Sequence, residues 1–350
     1  MIGIVFLTLG LIAVGSPSVW SGRTDFHSLY AGGKLVGTPY LYSPVHANRI
    51  QRQVTNSDEV GAFIRPPFYA ALLWPLAKLN YRQAILVWQL INLIALAGFL
   101  LLFKPDASAA VVCCLFFPTW LSFASGQDLP ILLFLFAASA RLLQKGKDLP
   151  AGLVMALCAI KFHVLVLLPV LILARRLWRF SFGLVAGMAG LVGVCFLVDS
   201  RDWPTRYFEA VKLNEQLQDS AVQMPNLLGL LFRVPHARYL LTAGTVLVVI
   251  GCWVVVRRVS LLPALGFTLF SGLLISLHAY LPDCMLVLPL MLSVTEYTGP
   301  AKVMIMTGLI GISTLALTEP RVAFLAQLVM IALFVWVLVE SRSTAKFSPP

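Results

Sequence analysis

Long apolar stretches alternate with short polar connections along the chain from Met1 to Glu340. Because about 20 apolar residues are needed to cross the hydrocarbon core of a membrane, this repeated pattern predicts transmembrane helices. We therefore predict an all-α polytopic membrane protein with about twelve helices that span the membrane fully or in part. The apolar windows cover residues 1–20, 66–79, 83–103, 108–124, 129–143, 150–174, 181–199, 238–257, 260–281, 283–297, 301–318 and 320–340.

These windows form one continuous unit, so we predict a single transmembrane domain over residues 1–340 and a polar tail over 341–350. The first window lacks the basic start and the small-residue cleavage site of a signal peptide, and it is interpreted as a transmembrane helix. Pro75 and Pro289 interrupt two of the windows, which are expected to tilt, kink or cross only partly.

The composition supports a membrane protein without a separate soluble half. Hydrophobic residues make up 59% of the 350 residues and charged residues only 12%, where a soluble domain carries about 25%. The formal net charge is +11, but Lys and Arg lie mostly in the connections between apolar windows, as in RRLWR (175–179). This distribution predicts contact with membrane lipids and cytoplasmic loops, and it argues against nucleic-acid binding.

Two polar connections are longer than the others, at about residues 21–65 and 200–237. Twelve crossings put both on one side, and the positive-inside rule makes that side extracytoplasmic, with both termini inside. The basic connection 141–148 disagrees, because it would then face outward. If 150–174 is instead a re-entrant hairpin that turns near Lys161, this connection becomes cytoplasmic.

Asp25 is the first candidate for chemistry, since it follows the first apolar window near an expected membrane surface. A carboxylate there could remove a proton from an attacking hydroxyl group. The alternative is that Asp25 caps the short helix expected over FHSLYAGGKL. Asp128, in SGQDLP, also has the sequence position of a helix cap, and we predict that role for it.

Three further segments carry ionisable residues beside apolar sequence. Arg65, ahead of a Pro-Pro pair, suits phosphate binding, although an interfacial anchor is equally consistent. Lys161, with His163 nearby, lies deep in an apolar window and requires a partner, a cavity or an anionic ligand. His278 and Asp283 bracket a Tyr-Leu-Pro turn, where they could position a substrate or satisfy each other in a helix turn.

Several common chemistries have no signature in this sequence. It contains no GxxxxGK[ST], GxSxG or HExxH motif, and its six cysteines form no CxxC pair. We therefore expect no cofactor and no dedicated metal site.

Four segments taken in order resemble glycosyltransferase family 87, a group of polyprenol-phosphate-mannose-dependent mannosyltransferases with the GT-C fold. The first two are DFHSLYAGGKLVGTPYLYSP (25–44) and RPPFYAALLWPLAKL (65–79), followed by the helix with Trp88 and Asn92. The third begins at SGQDLP and runs through Lys161 to residue 176, and the last is HAYLPDCMLVLPL (278–290). Asp128 and Pro282-Asp283 depart from the family's usual residues.

The resemblance implies a GT-C-type enzyme that transfers a hexose, mannose by expectation, from a polyprenyl-phosphate donor to a lipid or glycan acceptor. It implies a bacterial inner membrane with the active site facing the periplasm or outside. Asp25 matches the family's catalytic acid, and Arg65 and Lys161 lie in motifs expected to bind phosphate. The further substrate-binding candidates are Tyr30, Gln127, His163, His278 and Asp283. A multi-pass lipid or small-molecule transporter is the alternative, and an inactive relative that serves as an assembly partner is a third possibility.

Overall fold

The computed structural model describes residues 9–10, 15, 25–54, 63–216, 221–235, 237–298 and 300–344. Within these ranges, the side chains of 162–164, 215–216, 295–298, 300–303 and 342–344 are not described. The predicted first helix therefore lies almost entirely outside the described residues, as does most of the predicted tail. The described part is helical and has no β-strand, which confirms the all-α prediction.

Seventeen α-helices are described, and we number them in chain order. They are α1 Phe26–Leu35, α2 Pro44–Val54, α3 Pro67–Ala77, α4 Tyr81–Phe103, α5 Ala107–Leu115, α6 Phe117–Ala124, α7 Leu129–Gln144, α8 Asp148–Ala156, α9 Leu168–Arg175, α10 Trp178–Val198, α11 Trp203–Gln216, α12 Leu227–Leu231, α13 Ala237–Arg258, α14 Leu261–Ile275, α15 Leu288–Thr298, α16 Pro300–Ser313 and α17 Phe324–Thr344. Short 3₁₀ helices cover Leu157–Leu165, Ala221–Gln223, Leu281–Val287 and Thr314–Thr318.

Four of the described helices are long and apolar enough to cross a membrane: α4, α10, α13 and the Phe324–Ser341 part of α17. Helices α5 and α6 together would form a fifth span, bent by 52° at Phe116. The bend has a local cause, because Pro118 has no N–H to donate to the preceding turn. These spans confirm a polytopic membrane protein.

One end of the bundle collects the basic connections, and we call it the basic end. The Arg141 guanidinium donates to the Leu102 carbonyl at the end of α4. Arg175, at the end of α9, donates to the carbonyls of Val256 and Val259 at the end of α13. These bonds satisfy carbonyls that a helix C-terminus leaves without intrahelical partners. Connections from separate parts of the chain therefore meet at one end.

The segment 150–174 turns back on itself. Lys161 leaves helical geometry, with φ −126° and ψ 62°, between the rising α8 and the returning α9. Near the start of α8, the Ser139 hydroxyl donates to the Ala151 carbonyl, whereas Lys161 lies beside Asp128 at the far end of α7. The contacts thus support the hairpin alternative, and the connection 141–148 lies at the basic end with the others.

Helix α3 does not cross the bundle. Its eleven residues extend about 16 Å, roughly half of the ~30 Å hydrocarbon core. It packs on α1 at Gly33, where a Cβ atom would lie 2.9 Å from the Leu73 carbonyl oxygen. Glycine is therefore required for this close approach, and the expectation of a partial span at 66–79 agrees with the structure.

The end opposite the basic end carries a compact aromatic cluster beneath α1. The Phe26 ring stacks on Trp88 with 5.4 Å between centroids, and Tyr30 meets Tyr81 edge-on at 5.5 Å. All four side chains are buried. Aromatic pairs of this geometry contribute about 0.5–1.5 kcal/mol beyond area burial. The cluster gives the start of α1, including Asp25, a rigid support.

Candidate active site

A polar cavity of about 180 Å³ lies at this aromatic end of the bundle. It brings together six of the predicted site residues, from five separate segments: Asp25, Arg65, Gln127, Lys161, His278 and Asp283. Asp128, Asn214 and Tyr280 also line it.

The turn between α6 and α7 forms one wall of the polar cavity and is held by hydrogen bonds from α4 and from Asp25. Trp88 Nε1 donates to the Gly126 carbonyl at 2.9 Å, and the Asp25 amide donates to the Ser125 carbonyl at 2.8 Å. Gln89 Nε2 donates to the Phe123 carbonyl at 2.7 Å. Gly126 adopts φ +66°, a conformation that glycine tolerates at little cost. The turn therefore fixes Gln127 at the start of α1.

Asp25 precedes α1 but its carboxylate makes no capping hydrogen bond, so the capping alternative does not describe it. The Gln127 side-chain amide donates to this carboxylate instead. The carboxylate is exposed to the cavity, where surrounding protein reduces its contact with water. This loss of water raises the pKa of Asp25 to about 6, although the positive charges of Lys161 and Arg65 oppose the rise.

Lys161 is the central cation of the polar cavity and is almost fully buried. Its Nζ lies 2.7 Å from Asp283 Oδ1, 3.9 Å from Asp128 Oδ1 and 3.1 Å from Gln127 Oε1. Lys161 was predicted to require a partner, and it has two carboxylates beside it. Proteins usually accommodate a buried ion by such pairing. Through Gln127, Lys161 is also connected to Asp25.

Asp128 does not cap α7, which corrects the prediction made from its position in SGQDLP. Its carboxylate is 1% exposed and lies 3.5 Å from Arg65 Nη2 as well as near Lys161. Two cations beside apolar sequence require counter-charges from elsewhere in the chain, but no local feature of SGQDLP identifies Asp128 as one of them. Asp128 therefore belongs to the charge network of the cavity.

Arg65 has hydrogen-bonding capacity left over. The Tyr42 hydroxyl donates to the Arg65 backbone carbonyl at 2.9 Å and holds the residue ahead of α3. In the described part of the chain, its buried Nε has no acceptor. Because an unsatisfied buried donor is unfavourable, an anionic ligand in the cavity would stabilise this arrangement.

Asp283 contacts both its own turn and Lys161. One carboxylate oxygen accepts from the Tyr280 amide at 2.8 Å and caps the turn, while the other binds Lys161. The His278 ring meets Tyr280 edge-on with 5.0 Å between centroids. Burial lowers the pKa of His278 to about 4, so the imidazole is neutral at pH 7. A neutral imidazole has one hydrogen-bond donor and one acceptor.

Tyr30 is a predicted site residue that is absent from the described lining of the polar cavity. The Tyr30 hydroxyl donates to the Leu79 carbonyl, and its ring belongs to the aromatic cluster. The side chain of His163 lies outside the described residues. Asn214 was only one of several polar residues in the predicted outer loop 200–237, and the structure singles it out because α11 carries it over the cavity.

An apolar cavity of about 470 Å³ adjoins the polar one. The two cavities share Ile64, Arg65, Asn214 and His278. Beyond these residues, apolar side chains from the hairpin, α11 and α14 dominate the lining. They include Ile160, Val166, Val211 and Ile275. A ligand with a charged head and a greasy tail could therefore occupy both cavities at once.

Comparison with known protein families identifies the family of this chain. The model of glycosyltransferase family 87 matches residues 63–289, which is more than half of the chain. The chain belongs to glycosyltransferase family 87. It is thus a membrane glycosyltransferase, and this membership favours the transferase over a transporter. Comparison with curated proteins and with solved structures finds no match. Asp25 lies ahead of the matched residues, so its candidacy rests on geometry.

The raised pKa of Asp25 gives a pH dependence for the glycosyltransferase. If Asp25 acts as the base it must be ionised, so activity is present above its pKa and is lost as the pH falls through about 6. We expect kcat/KM measured across about pH 5 to 8 to show this acidic limb. An ordinary aspartate would leave activity flat over that range, and a flat profile would contradict the assignment.

Proposed function

We propose that this membrane glycosyltransferase transfers a hexose, with mannose as the expected sugar, from a polyprenyl-phosphate donor to a hydroxyl group of a lipid or glycan acceptor. One observation carries the proposal: Asp25, Arg65 and Lys161 surround a polar cavity that continues into an apolar one. The first cavity suits the sugar and phosphate, and the second suits the prenyl chain.

In the proposed reaction, Asp25 takes the proton of the acceptor hydroxyl as its oxygen attacks the anomeric carbon. The bond from that carbon to the phosphate oxygen breaks, and polyprenyl phosphate leaves from the opposite face with inversion. Arg65 and Lys161 stabilise the negative charge that develops on the leaving phosphate. Among the described residues the buried Nε of Arg65 has no acceptor, and this supports its role as a donor to the phosphate.

The distribution of basic residues supports an extracytoplasmic active site. Connections rich in Lys and Arg gather at the basic end, and the polar cavity lies at the opposite end. The positive-inside rule makes the basic end cytoplasmic, which leaves the cavity facing the periplasm or the outside of a bacterial inner membrane.

The direct test supplies the purified enzyme with polyprenyl-phosphate mannose and candidate acceptors, and measures transfer of labelled sugar. We expect turnover with this donor and none with a nucleotide sugar, which lacks the chain that the apolar cavity would hold. A folded protein that used only the nucleotide sugar would overturn the proposal.

Narrowing the apolar cavity provides a second prediction. Val211→Trp places a large ring among its lining residues, so we expect KM for a long-chain donor to rise about tenfold or more. A donor with a short prenyl chain should be little affected. Leu213→Trp is the matched control, because Leu213 is an exposed residue of the same helix outside the cavity. Equal effects of the two variants on the long-chain donor would count against a prenyl site here.

A further inference from the structure

A third cavity, which we call the lateral groove, lies apart from the site and encloses about 500 Å³. It is formed where α12, α13, α14 and α17 meet, and it shares no described lining residue with the polar or apolar cavity. Its wall is apolar along α13, from Gly244 through Leu247 and Ile250. Leu247 and Ile250 are 67% and 53% exposed, so the groove opens toward surrounding lipid.

Arg258 lies at one end of the lateral groove and is the charged residue among its described lining. Its Nη1 is buried and, in the part of the chain that the structure describes, has no hydrogen-bond partner. Neighbouring arginines make the contacts that are common at the end of a helix. Arg175 donates hydrogen bonds to the carbonyls of Val256 and Val259, and the Arg257 guanidinium lies 5.8 Å from the centroid of the Trp253 ring. Arg258 is therefore left to face the groove.

The lateral groove is long enough to hold a lipid chain from one leaflet of a membrane. Gly244 and Arg258 are fourteen positions apart on α13, which corresponds to about 21 Å. One leaflet contributes roughly 15 Å to the hydrocarbon core. A lipid with its head at Arg258 would thus have its chain in the groove over the whole depth of its leaflet.

We propose that the lateral groove binds an anionic phospholipid from the leaflet at the basic end. Its phosphate accepts hydrogen bonds from Arg258, and an acyl chain lies along α13 from Arg258 toward Leu247. The charge complementarity decides the occupant, because a purely apolar partner would leave the buried Nη1 unsatisfied. This site is separate from the proposed reaction and does not rest on it.

The test compares Arg258→Gln with Arg257→Gln, its neighbour outside the groove. Each purified protein is titrated with phosphatidylglycerol or phosphatidylcholine, and bound lipid is counted by native mass spectrometry. We expect the wild type to prefer phosphatidylglycerol and Arg258→Gln to bind it about tenfold or more weakly. Arg257→Gln should bind like the wild type. Equal binding by Arg258→Gln, or no preference for phosphatidylglycerol, would overturn the proposal.

A second pair of variants tests the binding of the lipid's acyl chain rather than of its headgroup. Leu247→Trp fills the lateral groove and should weaken binding, whereas Leu197→Trp, at an 85% exposed position on α10, should not. Polyprenyl phosphate is added as a competitor. If polyprenyl phosphate displaces phosphatidylglycerol from the wild type at a concentration lower than that of the phospholipid, the groove belongs to the sugar carrier and the phospholipid proposal is wrong.

Discussion

Replacement of Asp25 by Asn is expected to reduce sugar transfer by about 10²–10⁴-fold, the usual contribution of a positioned base. The amide keeps the size of the side chain, and its oxygen can still accept a hydrogen bond from Gln127. It cannot take a proton from the acceptor hydroxyl. The loss should therefore appear in kcat while the protein remains folded and able to bind the donor.

The matched control is Asp106→Asn, near the basic end of the bundle. The Asp106 carboxylate caps α5 by accepting from the Ala109 amide at 2.8 Å, and Asn caps a helix as well as Asp does. Transfer should be unchanged in this variant. Both proteins are compared with the wild type in initial-rate assays, and thermal unfolding verifies their stability. Full transfer by Asp25→Asn would remove this residue from the mechanism.

The helices could be predicted closely because the length of an apolar run is a local property. The window 83–103 corresponds to α4 Tyr81–Phe103, and 238–257 corresponds to α13 Ala237–Arg258. Hydropathy could not decide the path of 150–174, because the run is apolar throughout and its turn is defined by contacts. Lys161 turns toward Asp128 and Asp283, which are 33 and 122 positions away in sequence.

The candidate site was predictable as a set of charges but not as a network. Arg65 and Lys161 stand out because an ion beside apolar sequence requires compensation. Asp128 did not stand out, since an Asp at the start of a helix already has a sufficient local explanation. Its actual partners, Arg65 and Lys161, come from other segments, and only the folded chain identifies them. Long-range ion pairs leave no local pattern.

Lys161→Met is expected to destabilise the protein strongly as well as to abolish transfer. The substitution keeps an unbranched side chain but leaves Asp128 and Asp283 buried without their shared cation. Breaking one side of a buried ion pair costs about 3–5 kcal/mol, because the remaining charge is uncompensated. Lys78→Met is the control, since that ammonium lies over the exposed Trp74 ring at the surface. Its substitution should change the free energy of unfolding by less than about 1 kcal/mol.

A double variant separates the charge from the packing. In Lys161→Met with Asp283→Asn, the side-chain oxygen at position 283 can still accept a hydrogen bond from the Tyr280 backbone N–H. The carboxylate that lay closest to the Lys161 ammonium is then replaced by a neutral group. We expect the double variant to recover part of the free energy of unfolding lost by Lys161→Met alone, yet to remain inactive because the cation for the phosphate is missing. Denaturant unfolding and the transfer assay measure the two quantities independently. If the double variant were no more stable than the single one, Lys161 would be held by packing rather than by its carboxylates.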